Sequence, residues 1–258
     1  MNKSLIATAL GLLISLAAPT AAWANPVKSL FLGADNGLAS VMSDIIGSDA
    51  RFDLAHSATI EAQSTTPTLA QLQQYDSVLY WSNYFPANAS ALGDLLADYV
   101  DQGGRVVRAT FIGQEVQTLP NPGRIGSAAY AAFTSGRGDA YNSACLGSYD
   151  HSSAIMAGVT TLCANYYRGD WNANLAAGAH LVASWDDGRN FVGVNATDNV
   201  IDISLFPNVA TYEHATGDYR TLFANALAYN GGHTVPEPGG LALVMVALVG
   251  VGAARRKA

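Results

Sequence analysis

Lysine is nearly missing from this 258-residue chain: Lys3, Lys28 and Lys257 are its three copies. Between Asn25 and Thr234 there are nine basic residues, Lys28 and eight arginines, against nineteen acidic ones. The net charge of that stretch is −10, against −7 for the whole chain. A surface so poor in cations excludes the basic patch that holds nucleic acid, and no nucleic-acid partner is expected. Metal-binding patterns are missing as well. The five histidines, His56, His151, His180, His214 and His233, form neither His-x-x-x-His nor His-Glu-x-x-His, so no metal site and no cofactor is expected. There is no Gly-x-Ser-x-Gly elbow for a serine nucleophile. The first strand is not followed by Gly-x-Gly-x-x-Gly, which argues against a dinucleotide. Long apolar runs are absent from the interior and confined to the two ends.

Those ends carry the most specific signals. Lys3, an apolar stretch from Leu5 to Ala18 and small residues at Ala22 and Ala24 form the three parts of a secretory signal. Cleavage by signal peptidase is expected after Ala24, so residues 1–24 are set aside. At the other end Val235, Pro236, Glu237 and Pro238 precede a charge-free stretch over 239–254 and a closing Arg255-Arg256-Lys257 cluster. As a helix that stretch would span roughly 24 Å, somewhat under the ~30 Å of a hydrocarbon core. The terminal cations would stay on the cytoplasmic side.

This tail, residues 235–258, resembles the PEP-CTERM family of sorting signals. The resemblance implies an exosortase-like protease as partner, a transient inner-membrane anchor, and a Gram-negative cell surface or extracellular matrix as destination. It also implies a link to exopolysaccharide or biofilm. Two prolines keep the motif extended and without backbone donors, a form suited to a protease groove.

Two cysteines, Cys145 and Cys163, lie in the exported part. Outside the cytoplasm such a pair is most simply one disulfide, closing a loop of about 18 residues. A metal site or a nucleophile are the competing uses, but neither cysteine belongs to a Cys-x-x-Cys pair.

Inside residues 25–234 strands alternate with helices. Val27–Leu32 reads as a strand. Leu38, Val41, Met42, Ile45 and Ile46 recur on one helical face. A second strand is expected over Arg51–Ala55, a short helix over Thr68–Gln74 with Thr68 as N-cap, and a third strand over Val78–Trp81. Leu92, Leu95, Leu96, Tyr99 and Val100 mark the clearest helix, which stops at Gly103-Gly104 before a strand over Arg105–Thr110. That alternation implies right-handed crossovers and a parallel sheet. Residues 112–153 are Gly-, Ser- and Tyr-rich without a period and read as an insertion. Ala179–Trp185 and Asn190–Asn195 form a hairpin around Asp187-Gly188. A strand over Val200–Phe206 follows, then a final helix capped by Asp218. The expected fold class is α/β, a flavodoxin-like three-layer core with a mostly parallel sheet, a C-terminal β-hairpin, and a separate transmembrane helix over 239–254.

The stretch from Tyr75 to Val107, with His151–Gly158, Ala183–Gly188 and Leu222–Ala228, resembles the class I glutamine amidotransferase-like superfamily, which includes the trehalose-utilisation-type proteins. Active members carry a cysteine in the tight turn after the strand matching Arg105–Thr110. Here the residues are Ala109-Thr110-Phe111-Ile112-Gly113, so amidotransferase chemistry is not expected and no catalytic residue is assigned.

Ligand candidates sit where a doubly wound fold binds its ligand, beyond the first and third strands: Asp35 and Asn36, with Trp81, Asn83 and Tyr84. Rings beside amides suit stacking on sugars, and extracellular polysaccharide is the implied ligand. Two functions remain in view. One is a non-catalytic binding or structural protein of the envelope or matrix. The other is a secreted hydrolase using carboxylates or a metal at the C-terminal edge of the sheet, near Asp35, Glu115 or Glu213. Glu213-His214 beside Asp218 could also form an acid/base cluster, but a solvated cap and loop is the favoured reading there.

Overall fold

The computed structural model describes residues 25–111, 123–134, 139–140, 142–169 and 175–230. The signal-peptide residues Ala22 and Ala24, Glu115 and His233 lie outside this set. So do the Val235–Pro238 motif, the span 239–254 and the Arg255–Lys257 cluster. Among the described residues no helix is long and apolar enough to cross a membrane.

The chain begins with β1 (Ser29–Ala34), α1 (Leu38–Ile46), β2 (Ala58–Glu61) and α2 (Leu69–Leu72). It continues with β3 (Ser77–Ser82), α3 (Ala89–Asp101) and β4 (Arg105–Ala109). A second half holds β5 (Asp139–Ala140), β6 (Ala144–Tyr149), β7 (Leu162–Ala164), β8 (Arg168–Gly169), β9 (His180–Trp185) and β10 (Asn190–Val194). It closes with β11 (Val200–Ile203), α4 (Val209–Tyr212), β12 (Ala215–Gly217) and α5 (Tyr219–Ala228).

Ten strands make one sheet in the order β12-β7-β6-β9-β10-β11-β4-β3-β1-β2. The run β2-β1-β3-β4-β11 is parallel throughout, which is the flavodoxin-like order 2-1-3-4-5. Every pairing from β11 to β12 is antiparallel. The sheet is therefore mixed. The expected mostly parallel sheet with one added hairpin understates the antiparallel half, because β6, β7 and β12 join the hairpin. Residues 144–149, expected to belong to a loose insertion, form a strand within it.

Burial on both faces explains the parallel half. Phe31, Leu79, Trp81, Val107 and Ile201 face α1 and α5, where Val41, Ile45, Leu222 and Phe223 pack. Their neighbours Leu30, Leu32, Val78, Tyr80, Val106 and Val200 face α2 and α3, where Leu92, Leu96, Tyr99 and Val100 pack. A strand buried on both sides must read as a continuous apolar run, and Leu30-Phe31-Leu32 and Val78-Leu79-Tyr80-Trp81 do so. Three layers result.

Local chemistry sets several boundaries. Thr68 caps α2 in a reciprocal box with Gln71. Gly188, at φ 85°, supplies the left-handed position of the β9–β10 turn. The strand expected at Arg51–Ala55 is instead mostly turn. The Asp53 carboxylate and carbonyl accept the His56 and Ser57 amides, leaving Phe52 only a single bridge to Val27. The pairing strand starts later, at Ala58. Asp218 occupies the N-cap position of α5 but makes no cap bond. Its carboxylate accepts the Thr160 and Thr161 amides.

Cys145 and Cys163 are bonded, at S–S 2.02 Å, and face each other directly across β6 and β7.

Candidate functional site

Strand order reverses between β1 and β3, so the crevice beyond their C-terminal ends is the switch point of the sheet, where open α/β folds seat ligands. Gly33 in β1 lies beside Trp81 in β3, and a Cβ there would stand 2.5 Å from the indole. The missing side chain lets the indole lie across β1. Trp81 Nε1 then donates to Asp35 Oδ2 at 3.1 Å.

Asp35 is the centre of the cluster and is 1% exposed. Besides the indole it accepts Asn83 Nδ2 at 3.1 Å and Asn208 Nδ2 at 2.8 Å. Asn208 also donates to the Asn36 carbonyl at 2.9 Å, and its Oδ1 accepts the Thr211 amide at the start of α4. Asn83 Nδ2 reaches the Tyr212 hydroxyl at 3.0 Å. Asn36 Nδ2 reaches the Tyr84 hydroxyl at 3.2 Å. The five ligand candidates Asp35, Asn36, Trp81, Asn83 and Tyr84 are thus brought together in one bonded network. Burial, then the nearby Asp35 carboxylate, pushes the Tyr212 hydroxyl up to about 12, so it remains a neutral hydroxyl.

Rings continue from this network along the strand ends. Tyr212 packs edge-on to Tyr167 with centroids 5.7 Å apart. Tyr167 meets Tyr166 at 4.5 Å and Phe111 at 5.8 Å. Tyr167 holds φ 59° and Glu213 φ 49°, left-handed conformations that cost non-glycine residues energy and concentrate at functional sites. Tyr84 and Phe85 are 42% and 52% exposed, so the outer rim is aromatic and open.

The place of a nucleophile is otherwise filled. After β4, Thr110 is fully buried, and its Oγ1 has no hydrogen-bond partner. Phe111 lies against Phe206 at 5.3 Å. The possible acid/base trio of Glu213, His214 and Asp218 does not assemble. Glu213 is exposed, Asp218 binds the Thr160–Thr161 amides, and His214 is buried with Nε2 on the Phe206 carbonyl at 2.9 Å. Burial lowers the His214 pKa to about 4, so the ring is neutral near pH 7. Among the described residues, no group of three or more His, Cys, Asp or Glu could hold a metal ion.

Asn208 and Tyr212 do not stand out in the sequence. A signal is present in Pro207-Asn208-Val209, an N-cap residue opening a helical turn, but a four-residue helix has too little periodicity to show itself. A second polar centre is equally hidden there. Arg108 on β4 makes a two-pronged pair with Asp202 on β11 at 2.6 and 2.7 Å. Asp202 also accepts the Ala132 and Phe133 amides at 2.9 Å. This knot joins β4, β11 and the segment after Ser127; its buried, neutralised groups hold the sheet.

No family model and no curated protein matches this chain. Among solved structures, a ThuA-like protein from Bacteroides uniformis superposes at TM-score 0.57 and 13% identity, covering 80% of this chain and 93% of its own. A GMP synthase subunit protein from Thermoplasma acidophilum superposes at TM-score 0.50 and 14% identity, over 78% of this chain and 93% of its own. Identity this low speaks to architecture alone: the chain shares the α/β fold of these two proteins.

Proposed function

We propose that this is a non-catalytic binding protein of the cell envelope or extracellular matrix that contacts polysaccharide at the β1/β3 switch point. The observation that carries the reading is the state of Asp35. Three neutral N–H donors occupy its carboxylate, and the group is buried. A general acid or base must reach the reacting proton, and Asp35 serves instead as the fixed anchor of a platform. The exposed Tyr84 and Phe85 rings and the Asn36 amide flank that anchor, the combination of ring face and amide that suits stacking on sugars. The hydrolase alternative has less support, since Asp35 is occupied and Glu213 stands in solvent.

The Val235–Pro238 motif, the apolar stretch and the Arg255–Lys257 cluster support export, exosortase processing and delivery to the cell surface or matrix. Intact mass of the protein from cells with and without the candidate protease tests the processing. Loss of residues beyond Pro238 only when the protease is present is the expected result. Affinity electrophoresis through matrix polysaccharide tests the binding. Tyr84→Ala is expected to weaken retention roughly tenfold, the loss of one stacked ring with its coupled contacts. Hydrolytic turnover by the purified domain, without retention, would overturn the reading.

A further inference from the structure

At the opposite edge of the sheet, where β3 and β4 begin, lies a cleft of about 490 Å³ lined by Gln73, Tyr75, Asp76, Tyr99, Gln102 and Arg105, with Gly103-Gly104 at its wall. That size suits a monosaccharide or a small acid.

Arg105 differs from the other described arginines. Arg51, Arg108, Arg124, Arg168, Arg189 and Arg220 each have a carboxylate within 4.0 Å. Among the described residues Arg105 has none. Its Nη1 donates to the Leu227 carbonyl at 3.3 Å, and its Nε is buried without a partner. In a stretch carrying −10, the one described arginine without a carboxylate within 4.0 Å lines this cleft. Burial lowers its pKa, as expected of a charge short of compensation. Asp76 lines the same cleft and acts on Arg105 from beyond ion-pair distance; its Oδ2 accepts the Lys28 amide at 2.8 Å, which also brings the Lys28 backbone to this edge.

We infer that this cleft binds a carboxylate carried on a hydroxylated molecule, the chemistry of a sugar acid. The Arg105 guanidinium offers a carboxylate its charge and the Nη donors that the Leu227 carbonyl leaves free. The Gln73 and Gln102 amides, bonded to each other across the opening, supply both donors and acceptors for hydroxyls. The C-terminal end of α3 opposes an anion. Its exposed carbonyls are already covered, with Gly103 N on Val100 O and Gly104 N on Tyr99 O, both at 2.9 Å. A single guanidinium against that opposition fits a monoanion better than a phosphate dianion.

Two sources share this chemistry: a free hydroxy acid and a uronate residue of an acidic polysaccharide. The test titrates the exported domain with glucuronate, with an oligomer of uronate and with glucose, following amide shifts by NMR. Glucuronate is expected to move the Gly103 and Gly104 amides with a dissociation constant near or below about 10 mM, and glucose to bind roughly tenfold more weakly or not at all. Gln102→Glu, a change at an exposed position, is expected to weaken glucuronate roughly tenfold while the protein stays folded. Arg105→Gln should do the same if it folds. Tighter binding of the oligomer identifies a polymer ligand, and equal binding identifies the free acid. Equal binding of glucose, or glucuronate binding unmoved by Gln102→Glu, overturns the inference. Tyr84→Ala should leave glucuronate unaffected, so failure here and failure at the switch point are separable.

Discussion

At the scale of single residues, His214 ties stability to pH. Its folded pKa of about 4 lies below the ordinary histidine value of 6.5. Between those values the unfolded chain binds the proton and the folded chain does not, so stability rises with pH across the window and falls as pH drops through it. A shift of that size corresponds to about 3 kcal/mol. Urea unfolding of the wild-type domain at steps from pH 7 to pH 4 should show this loss, and His214→Phe should flatten it. An equal slope in the variant would assign the loss to other groups. Gly33 makes a second prediction. Gly33→Ala drives a methyl into the Trp81 ring, and overpacking of this kind costs about 1–3 kcal/mol. The melt should fall, and indole fluorescence should shift as the Asp35 bond is disturbed. Neither effect could be read from the sequence, since Gly33 looks like any glycine ending a strand until the register places it beside Trp81.

Elements were legible in proportion to their periodicity and punctuation. Helices α1 and α3 announce themselves through Leu38-Val41-Ile45 and Leu92-Leu96-Val100, and Thr68 three residues before Gln71 is the signature of a capping box. Asp187-Gly188 fixed the hairpin between β9 and β10. The short pieces were not legible: β6 and β7 have three to six residues without alternation, and their place in the sheet depends on partners far away in sequence. The Cys145–Cys163 bridge joins those two strands, and only two register pairs otherwise connect them. Removing it through Cys145→Ala and Cys163→Ala should cost roughly 3 kcal/mol for a loop of this length, seen as a lower urea midpoint. A midpoint that does not move would show that β12 and the Asp218 contacts hold β7 by themselves. The Arg108–Asp202 pair predicts a larger effect. Asp202→Ala strands a buried guanidinium and frees two buried amides, which should cost about 3–5 kcal/mol in the same measurement.

At the scale of the molecule, the fold class was readable from alternation of strands and helices, and the switch-point candidates were readable from where such folds open. The extent of the antiparallel half was not, because a mixed sheet is decided by which edge remains unpaired after the parallel strands are placed. The domain thus presents two chemically different ends. The C-terminal edge carries rings, amides and a buried carboxylate, and the N-terminal edge carries Arg105, which has no ion-pair partner among the described residues. A ligand long enough to meet both would have to wrap around the sheet, so the two ends should behave as independent sites in binding measurements.

The central position of β11 has a consequence for how the chain reaches this state. Asp202 pairs with Arg108 across 94 residues of sequence, and β11 separates the parallel half from the antiparallel half. Contacts of such long range place the domain among slow folders, whose closure waits on loop entropy. Until Ile203 has been made, β4 keeps an open edge and neither half can seal. A nascent chain of this design stays unfinished while most of it is being synthesised.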